Sequence, residues 1–540
     1  MKLRLCAPTV VLVLVYAATR LNVAALTVTS LADSGPGSLR DTVAASPAGD
    51  VIQFGVQGTI VLNSSIPINK VLFVQGPGPS KLTVSGNSVD RVFITGGNPV
   101  MISGMTISNG LVVGVNGPDG GLNQNGGNGA DAYGGAILNN NVNDLLILSN
   151  CWFTANTVQG GQGGRGGDNT PFANFPPGNG GAGGIAYGGA VYSWTNVQIV
   201  NCTFSGNRAL GGTGGAGGDD HNEPQVGGLG GVGGKGKAGA VFVEQANEPR
   251  FTNCTFSGNS TLGGTGGKGG GTFNSIAPFN GGAGGAGGDG ECGAVSVGRC
   301  QIISCTIVSN SATAGAGGAG GAGAPTGPSG PPGSGYTGGL CAYNIACTVA
   351  YMGNSIVAEN AASTARSNID MYLTDYGFNY IGDQPNVPSC GNVGNTRIGT
   401  TALLLHPQLG PLAQNGGGLP THAPLSGSPV IDWGHSLGTT ADERGAPRPF
   451  GVPAAGSSGD GSDIGAFEFG STPLGLGVVS NNVVVSWPAY YGDYRLQYAT
   501  NLPASNNWSN VPDVPVVVGN QFTVTNSKAG VSKYYRLINR

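Results

Sequence analysis

The chain has 540 residues, of which 103 are glycine, 33 are proline and only 9% are charged. Glycine at that density without a strict Gly-X-Y period excludes a collagen triple helix and leaves turn-dense β structure or low-complexity tracts. A formal net charge of -4 with no basic run gives a nucleic-acid partner no electrostatic footprint.

Residues 1–25 read as a secretory leader. Lys2 and Arg4 give a positive start, residues 9–18 are almost all apolar, and Val23, Ala24 and Ala25 suit cleavage before Leu26. The apolar run is too short to span a bilayer, and no later stretch reaches about 18 apolar residues, so no transmembrane segment is expected after cleavage. Cys6 is not in a lipoprotein-type setting.

Residues 26–29 and 51–54 then read as strands flanking a short amphipathic helix over 38–45. Ser38 is its N-cap, and Asp41 stands three residues on. A helix here would cover the open end of a stacked β structure, whose unpaired backbone invites aggregation. Apolar alternations at 58–62, 71–74 and 100–107 begin the coils.

From residue 134 a two-part phrase recurs at roughly fifty-residue steps. Gly134-Gly135-Ala136-Ile137 is followed by Asn150-Cys151-Trp152-Phe153-Thr154-Ala155-Asn156. Gly188-Gly189-Ala190-Val191 is followed by Asn201-Cys202-Thr203-Phe204-Ser205-Gly206-Asn207. The third copy pairs Ala238-Gly239-Ala240-Val241 with the stretch from Asn253 through Cys254 and Phe256 to Asn259. The fourth pairs Cys292-Gly293-Ala294-Val295 with Ser304, Cys305 and Asn310, and a worn fifth runs from Leu340 to Ile356. Such repeats build a stack whose units bury their apolar faces only against one another.

Within each unit the period is two, as in Val197-Gln198-Ile199, which means half-buried strands. Asn150, Asn201 and Asn253 fall at one bend, and Asn156, Asn207, Asn259 and Asn310 at the next. Asparagine tolerates left-handed backbone, and its amide can bond to its counterpart one coil away. The fold expected is all-β: a right-handed parallel β-helix over 26–400, with Phe153, Phe204 and Phe256 in one interior column.

Glycine-rich insertions separate the coils at about 110–132, 159–186, 211–236, 262–290 and 314–338. All leave at the same point of the repeat, so they project from one edge as neighbours. Two readings stand: flexible, solvated loops, or extended polyproline-II strands packed where glycine permits close approach. The entropy lost on ordering glycine favours the first. Asp168, Asp219 and Asp289 are too isolated for nonapeptide calcium repeats, and no metal or cofactor is expected.

Of ten cysteines, Cys6 lies in the leader, leaving nine. Cys151, Cys202, Cys254 and Cys305 share one repeat position beside apolar neighbours and read as a buried column of thiols. Cys292 with Cys341, and Cys300 with Cys347, occupy corresponding places in adjacent repeats and are the disulfide candidates.

The composition changes again near 400. Residues 401–470 form a proline-rich C-terminal cap, and 471–540 lose the glycine runs and alternate as a small antiparallel, sandwich-like β module.

The Gly-Gly-Ala-Ile and Phe-x-x-Asn phrases over Gly134 to Asn310 resemble the repeats of polymorphic outer-membrane proteins, β-solenoids that serve as surface adhesins. The present chain ends, at Tyr534-Tyr535-Arg536-Leu537, without strands for a membrane barrel. The stretch Ser38-Leu39-Arg40-Asp41 resembles the N-terminal cap of secreted bacterial β-helix proteins. Asn415 to His422, Gly427 to Asp432, Asp442 to Pro449 and Asp463 to Glu468 together are similar to the choice-of-anchor Q domain. That resemblance implies a large secreted or cell-surface bacterial protein with interchangeable attachment ends, and no established catalytic residues.

A lyase or glycosidase on such a scaffold needs carboxylates gathered in successive coils. Glu244, Glu248 and Glu359 fall at different repeat positions, and Asp219-Asp220-His221 lies inside a glycine-rich loop. Asp432, His435, Asp442, Arg444, Asp463 and Glu468 could hold a cation or form buried ion pairs, with Arg444 joining Asp463 or Glu468 to close the solenoid. Trp152, Trp194 and Tyr192 are either sugar-stacking surfaces or ordinary packing. Two function classes follow: a non-catalytic, adhesive protein binding an extracellular polysaccharide or surface protein, which the scattered acids favour, and a polysaccharide lyase or glycoside hydrolase.

Overall fold

The computed structural model describes residues 26–540 except 141–144, 171–174, 222–225, 245–247, 274–278, 343–348, 364–366, 384–393, 471–473, 489–493, 502–506, 519–520, 528–531 and 540. The secretory leader expected over residues 1–25 therefore lies outside the described residues. Three long parallel sheets carry the body, as in a parallel β-helix. Sheet 1 has ten strands, from Leu26–Val28 to Tyr372–Asp375. Sheet 2 also has ten, from Gly58–Val61 to Arg397–Ile398, and sheet 3 has eight, from Ile66–Ile68 to Ile369–Asp370. Two narrower parallel sheets follow the same stacking: sheet 4 from Leu111–Val113 to Ala361–Ala362, and sheet 5 from Ala132–Tyr133 to Gly290–Glu291.

Register is set by the repeat. Phe153 pairs with Phe204 and Phe204 with Phe256. Their rings stack nearly parallel, with centroids 4.6 and 4.9 Å apart. One apolar cluster runs from Val28 to Ile381 and takes in this column together with Cys151, Cys202, Cys254 and Cys305. Those four cysteines are buried free thiols, and burial pushes the Cys202 and Cys254 thiols well up. At the first end, the Leu39–Ala45 helix inserts Leu39 and Val43 into the same cluster. The Ser38 hydroxyl caps it by accepting the Asp41 amide.

The corners follow from asparagine chemistry. Asn150, Asn201 and Asn253 sit at φ +50°, +51° and +50° between sheets 1 and 2, where a β-carbon is otherwise strained. Inside the next corner a buried amide ladder runs through six residues. Each of Asn156, Asn207, Asn259, Asn310 and Asn360 donates Nδ2 to the Oδ1 of the next, ending on Asn368, at 2.8–2.9 Å. A side chain with both a donor and an acceptor is required, because each rung bonds to the one on either side of it.

A disulfide joins Cys292 to Cys341, with Cα atoms 5.6 Å apart. Cys300 is a buried free thiol in the core, its thiol raised by burial; Cys347 lies outside the described residues.

The glycine tracts between sheets 4 and 5 are hydrogen-bonded to one another, in place of the solvated loops that their composition favoured. Every third amide of an outgoing leg donates to the following tract: Gly160 to Leu210, Gly163 to Thr213 and Gly166 to Ala216, at 2.8–2.9 Å. The glycine after each donates to the returning leg of the preceding tract: Gly161 to Ala130, Gly164 to Gly127 and Gly167 to Gln124. A step of three is the turn of polyproline II, and these bonds offset the entropy cost that made order look unfavourable. Packing is so close that a Cβ on Gly164 would lie 2.0 Å from Pro118 O. The first and last legs keep glycine only at every third position, at Gly114, Gly117 and Gly120 and at Gly327, Gly330 and Gly333. Proline fills gaps there at 118, 328, 331 and 332, because an edge leg has fewer close neighbours and fewer amides to place.

Residues 405–469 return along the outer face of sheet 2. Thr203 Oγ1 donates to Pro420 O, His422 Nε2 is 2.8 Å from Ser257 Oγ, and Asn354 Nδ2 donates to Asp463 O. Gly418 lies beside Pro79 and Ser80, so this strap reaches back to the early coils. The ion pairs expected here are corrected. Arg444 pairs with Asp442 at 2.7 Å, and Arg448, not Arg444, pairs with Glu468 at 2.8 Å, both buried. A tight turn places Asp442 within reach of both the Arg444 guanidinium and its own backbone amide, a local closure that spacing alone does not reveal. From Gly475 onward, a four-stranded and a three-stranded antiparallel sheet enclose a separate cluster around Val485, Trp487, Leu496 and Val524.

Candidate functional site

The outer face of sheet 3, at its corner with sheet 5, carries an aromatic trough. Its rings are placed by the repeat. Tyr133 and Tyr187 precede successive Gly-Gly pairs and are register partners in sheet 5, while Leu138, Tyr192 and Phe242 are partners in sheet 3. Tyr133 and Tyr187 stack with centroids 5.0 Å apart, and the Tyr192 ring meets Tyr133 edge-on at 4.9 Å. Tyr192 and Phe242 stack at 5.8 Å. Leu138, Asn140, Trp194 and Glu244 complete a cavity of about 280 Å³.

The trough's polar chemistry is one-sided. The Tyr192 hydroxyl donates a short hydrogen bond to the Glu244 carboxylate. Burial first, and then that carboxylate, push the Tyr192 phenol far up, so it stays a donor at all ordinary pH. Tyr133 is raised by burial and by the charges of Asp131 and Glu244. The Trp194 Nε1 is buried and, among the described residues, has no hydrogen-bond partner. At the far end the Lys237 ammonium lies 5.7 Å from the Tyr187 ring and pairs with Glu291 at 3.2 Å.

The other flagged residues are placed elsewhere. Trp152 lies on sheet 2 and donates Nε1 to Ser205 Oγ at 2.8 Å, bridging two coils. Asp219 pairs with Arg165 at 2.9 Å and accepts the Gly271 amide, while the His221 ring stacks on Phe273. Asp219 and His221 thus tie neighbouring glycine tracts together. Glu248 pairs with Arg250 and Arg299, and Glu359 lies 3.4 Å from His406. Under the strap, Glu443 is fully buried with its carboxyl hydrogen-bonded to the Thr203 and Thr255 hydroxyl oxygens, and burial pushes that carboxyl well up. Asp432 is raised by burial, and its amide is bonded to Asp463. His435 lies 3.5 Å from Asp460.

Sequence reasoning singled out Tyr192 and Trp194 but missed Tyr133, Tyr187 and Glu244 as their companions. The signal was the Ala-Tyr-Gly-Gly phrase at 132–135 and again at 186–189, which fixes a tyrosine at one height in two successive coils.

Comparison with models of protein families and with curated proteins finds no match to this chain. Among the described residues, no helix is long and apolar enough to cross a membrane.

Proposed function

We propose that this chain is a non-catalytic binding solenoid, exported to the bacterial surface or surroundings, that engages an extracellular polysaccharide or surface partner. The observation that carries the reading is the aromatic trough: four aromatic rings and a single carboxylate converge on one open cavity. Binding sites gather apolar surface with a few placed polar groups, whereas glycosidic cleavage calls for two carboxylates across the bond. Asp219 and Asp289 of the glycine tracts and Asp442 and Glu468 of the strap are engaged in ion pairs, which also favours a binding role.

On this reading the coils wind right-handed and the glycine tracts stand together on one edge as a rigid shelf beside the trough. Residues 401–470 serve as a choice-of-anchor-like segment.

The test is incubation of the purified protein with a polysaccharide panel, following both retention on insoluble polymer and release of reducing ends or unsaturated products. Retention without product is expected. A product that disappears on substitution of one carboxylate, for example Glu244→Gln, would establish a lyase or hydrolase instead.

A further inference from the structure

We infer that the return-leg face of the glycine array is a homotypic interface, on which a second copy of this chain stacks shelf to shelf. The inference goes beyond the trough and holds whether or not the trough binds a polysaccharide.

In the Gly-Gly-x triplets both glycines pack against neighbouring backbone, so the x side chains alone stand out from the array. Register bonds align them across the tracts: Gly129 to Ala182, Gly183 to Val232, Gly233 to Ala286 and Gly287 to Pro331. Asn128, Ala182, Val232, Ala286 and Pro331 therefore form one ridge that crosses the five return legs. A parallel ridge, one triplet nearer the tips, runs from Asn125 through Leu229 to Pro328. Neither ridge contains a charged residue, and Leu229 and Val232 are 50% and 51% exposed. The asparagine oxygens are turned into the array, where Asn125, Asn128 and Asn179 accept the amides of Asn179, Ala182 and Leu229. Charge returns at the solenoid end, where Lys235 pairs with Asp289 at 2.9 Å. The opposite face differs in kind, with Arg165, Asp168, Asp219 and Lys268 at its x positions.

An apolar face of this kind marks a contact surface, and its relief selects the partner. Three residues of polyproline II advance about 9 Å, so the ridges are separated by a strip floored with glycine pairs such as Gly180-Gly181 and Gly230-Gly231. That width holds one row of side chains at an ordinary contact of about 4–4.5 Å on either side. A ridge of a second copy, related by a two-fold axis, has the pitch and chemistry to fill the strip, and its own strip is filled in return. Five legs about 4.8 Å apart, each of about nine residues at about 3.1 Å per residue, give a face of about 650 Å² per copy. Two such faces bury about 1,300 Å², within the range of stable interfaces. A polysaccharide is the competing occupant, but its hydroxyls need hydrogen-bonding partners, and the asparagine acceptors of this face are spent within the array.

Sedimentation velocity on the full chain from about 0.1 to 100 μM reads the assembly. A dimer that forms with rising concentration is expected. Leu229→Lys and Val232→Lys should each weaken it at least about tenfold, since each removes apolar contact and sets like charges together across the two-fold axis. Thr265→Lys, on the opposite face, should leave it unchanged. The array already carries Lys268 at an x position, so all three variants should keep the parent's unfolding temperature. A parent that stays monomeric throughout, or a dimer equally sensitive to Thr265→Lys or indifferent to both return-face variants, would overturn the inference. Retention of a monomeric parent on polysaccharide, lost in Val232→Lys, would give the face to a glycan instead. A dimer with no polysaccharide retention would keep this interface and sink the trough reading.

Discussion

Gly215→Ala tests whether the glycine tracts form a packed array. The added Cβ would fall 1.9 Å from Gly164 O, 2.6 Å from Gly164 C and 2.8 Å from Gly163 O, all backbone atoms with no rotamer to yield. Restoring ordinary contact requires the leg to move by more than about 1 Å. That shift strains four backbone bonds: Gly215 to Gly181, Gly231 to Gly215, Gly163 to Thr213 and Gly166 to Ala216. At roughly 1 kcal/mol each if all four are lost, with about 1–3 kcal/mol for overpacking, the local cost is at most about 5–7 kcal/mol. Gly298→Ala is the control, since nothing lies within 4 Å of its Cβ and its φ is not left-handed; it should be neutral or stabilise by up to about 1 kcal/mol. Hydrogen exchange with mass spectrometry reads the difference. Amides at 160–167, 178–184 and 211–218 should be protected in the parent chain and should exchange faster in Gly215→Ala alone. Unprotected glycine amides in the parent, or identical exchange in the two variants, would refute the packed array.

Two further outcomes follow from the buried polar groups. Asn207→Ala removes bonds to Phe153 O and Asn259 Oδ1 and leaves the Asn156 amides without their acceptor. It should destabilise the central coils by roughly 2–4 kcal/mol, whereas Asn201→Gly, at a left-handed corner, should cost less than about 1 kcal/mol; chemical denaturation checks both. Glu443 gives a pH dependence. Burial raises its carboxyl well above the ordinary value of 4.5, so the folded chain holds a proton that the unfolded chain has released. Stability from this group therefore falls as pH rises from about 4.5 towards the raised value. Asp463 and Glu468 are shifted upward too, so the contribution is isolated as the difference from Glu443→Gln. That variant should flatten part of the slope and be at least as stable as the parent at neutral pH; an unchanged slope in thermal unfolding between pH 4.5 and 7 would refute the buried, protonated state.

The differences between expectation and structure have a common cause. The triplet Gly-Gly-x at 160–168 and 211–219 was visible in the sequence, but its order depends on the neighbour that each amide meets. A single glycine leg has no partner for its amides, and only five tracts side by side provide one. Likewise Arg444 has three acidic residues within reach in sequence, and only the turn at Asp442 selects among them. Trp152 and Trp194 are alike as residues; one bonds to Ser205 on the next coil and the other has a buried N–H with no partner among the described residues.

The sequence by itself determined the stacked parallel strands, the phenylalanine and cysteine columns and the two asparagine corners, because a side chain repeated at one phase must meet its own copy in the next coil. Tertiary structure alone decided the lattice of glycine amides, the strap lying along sheet 2 and the convergence of Tyr133, Tyr187, Trp194 and Glu244. Those features join residues at different phases of the repeat or beyond it, where periodicity carries no information and only the path of the chain brings the groups together.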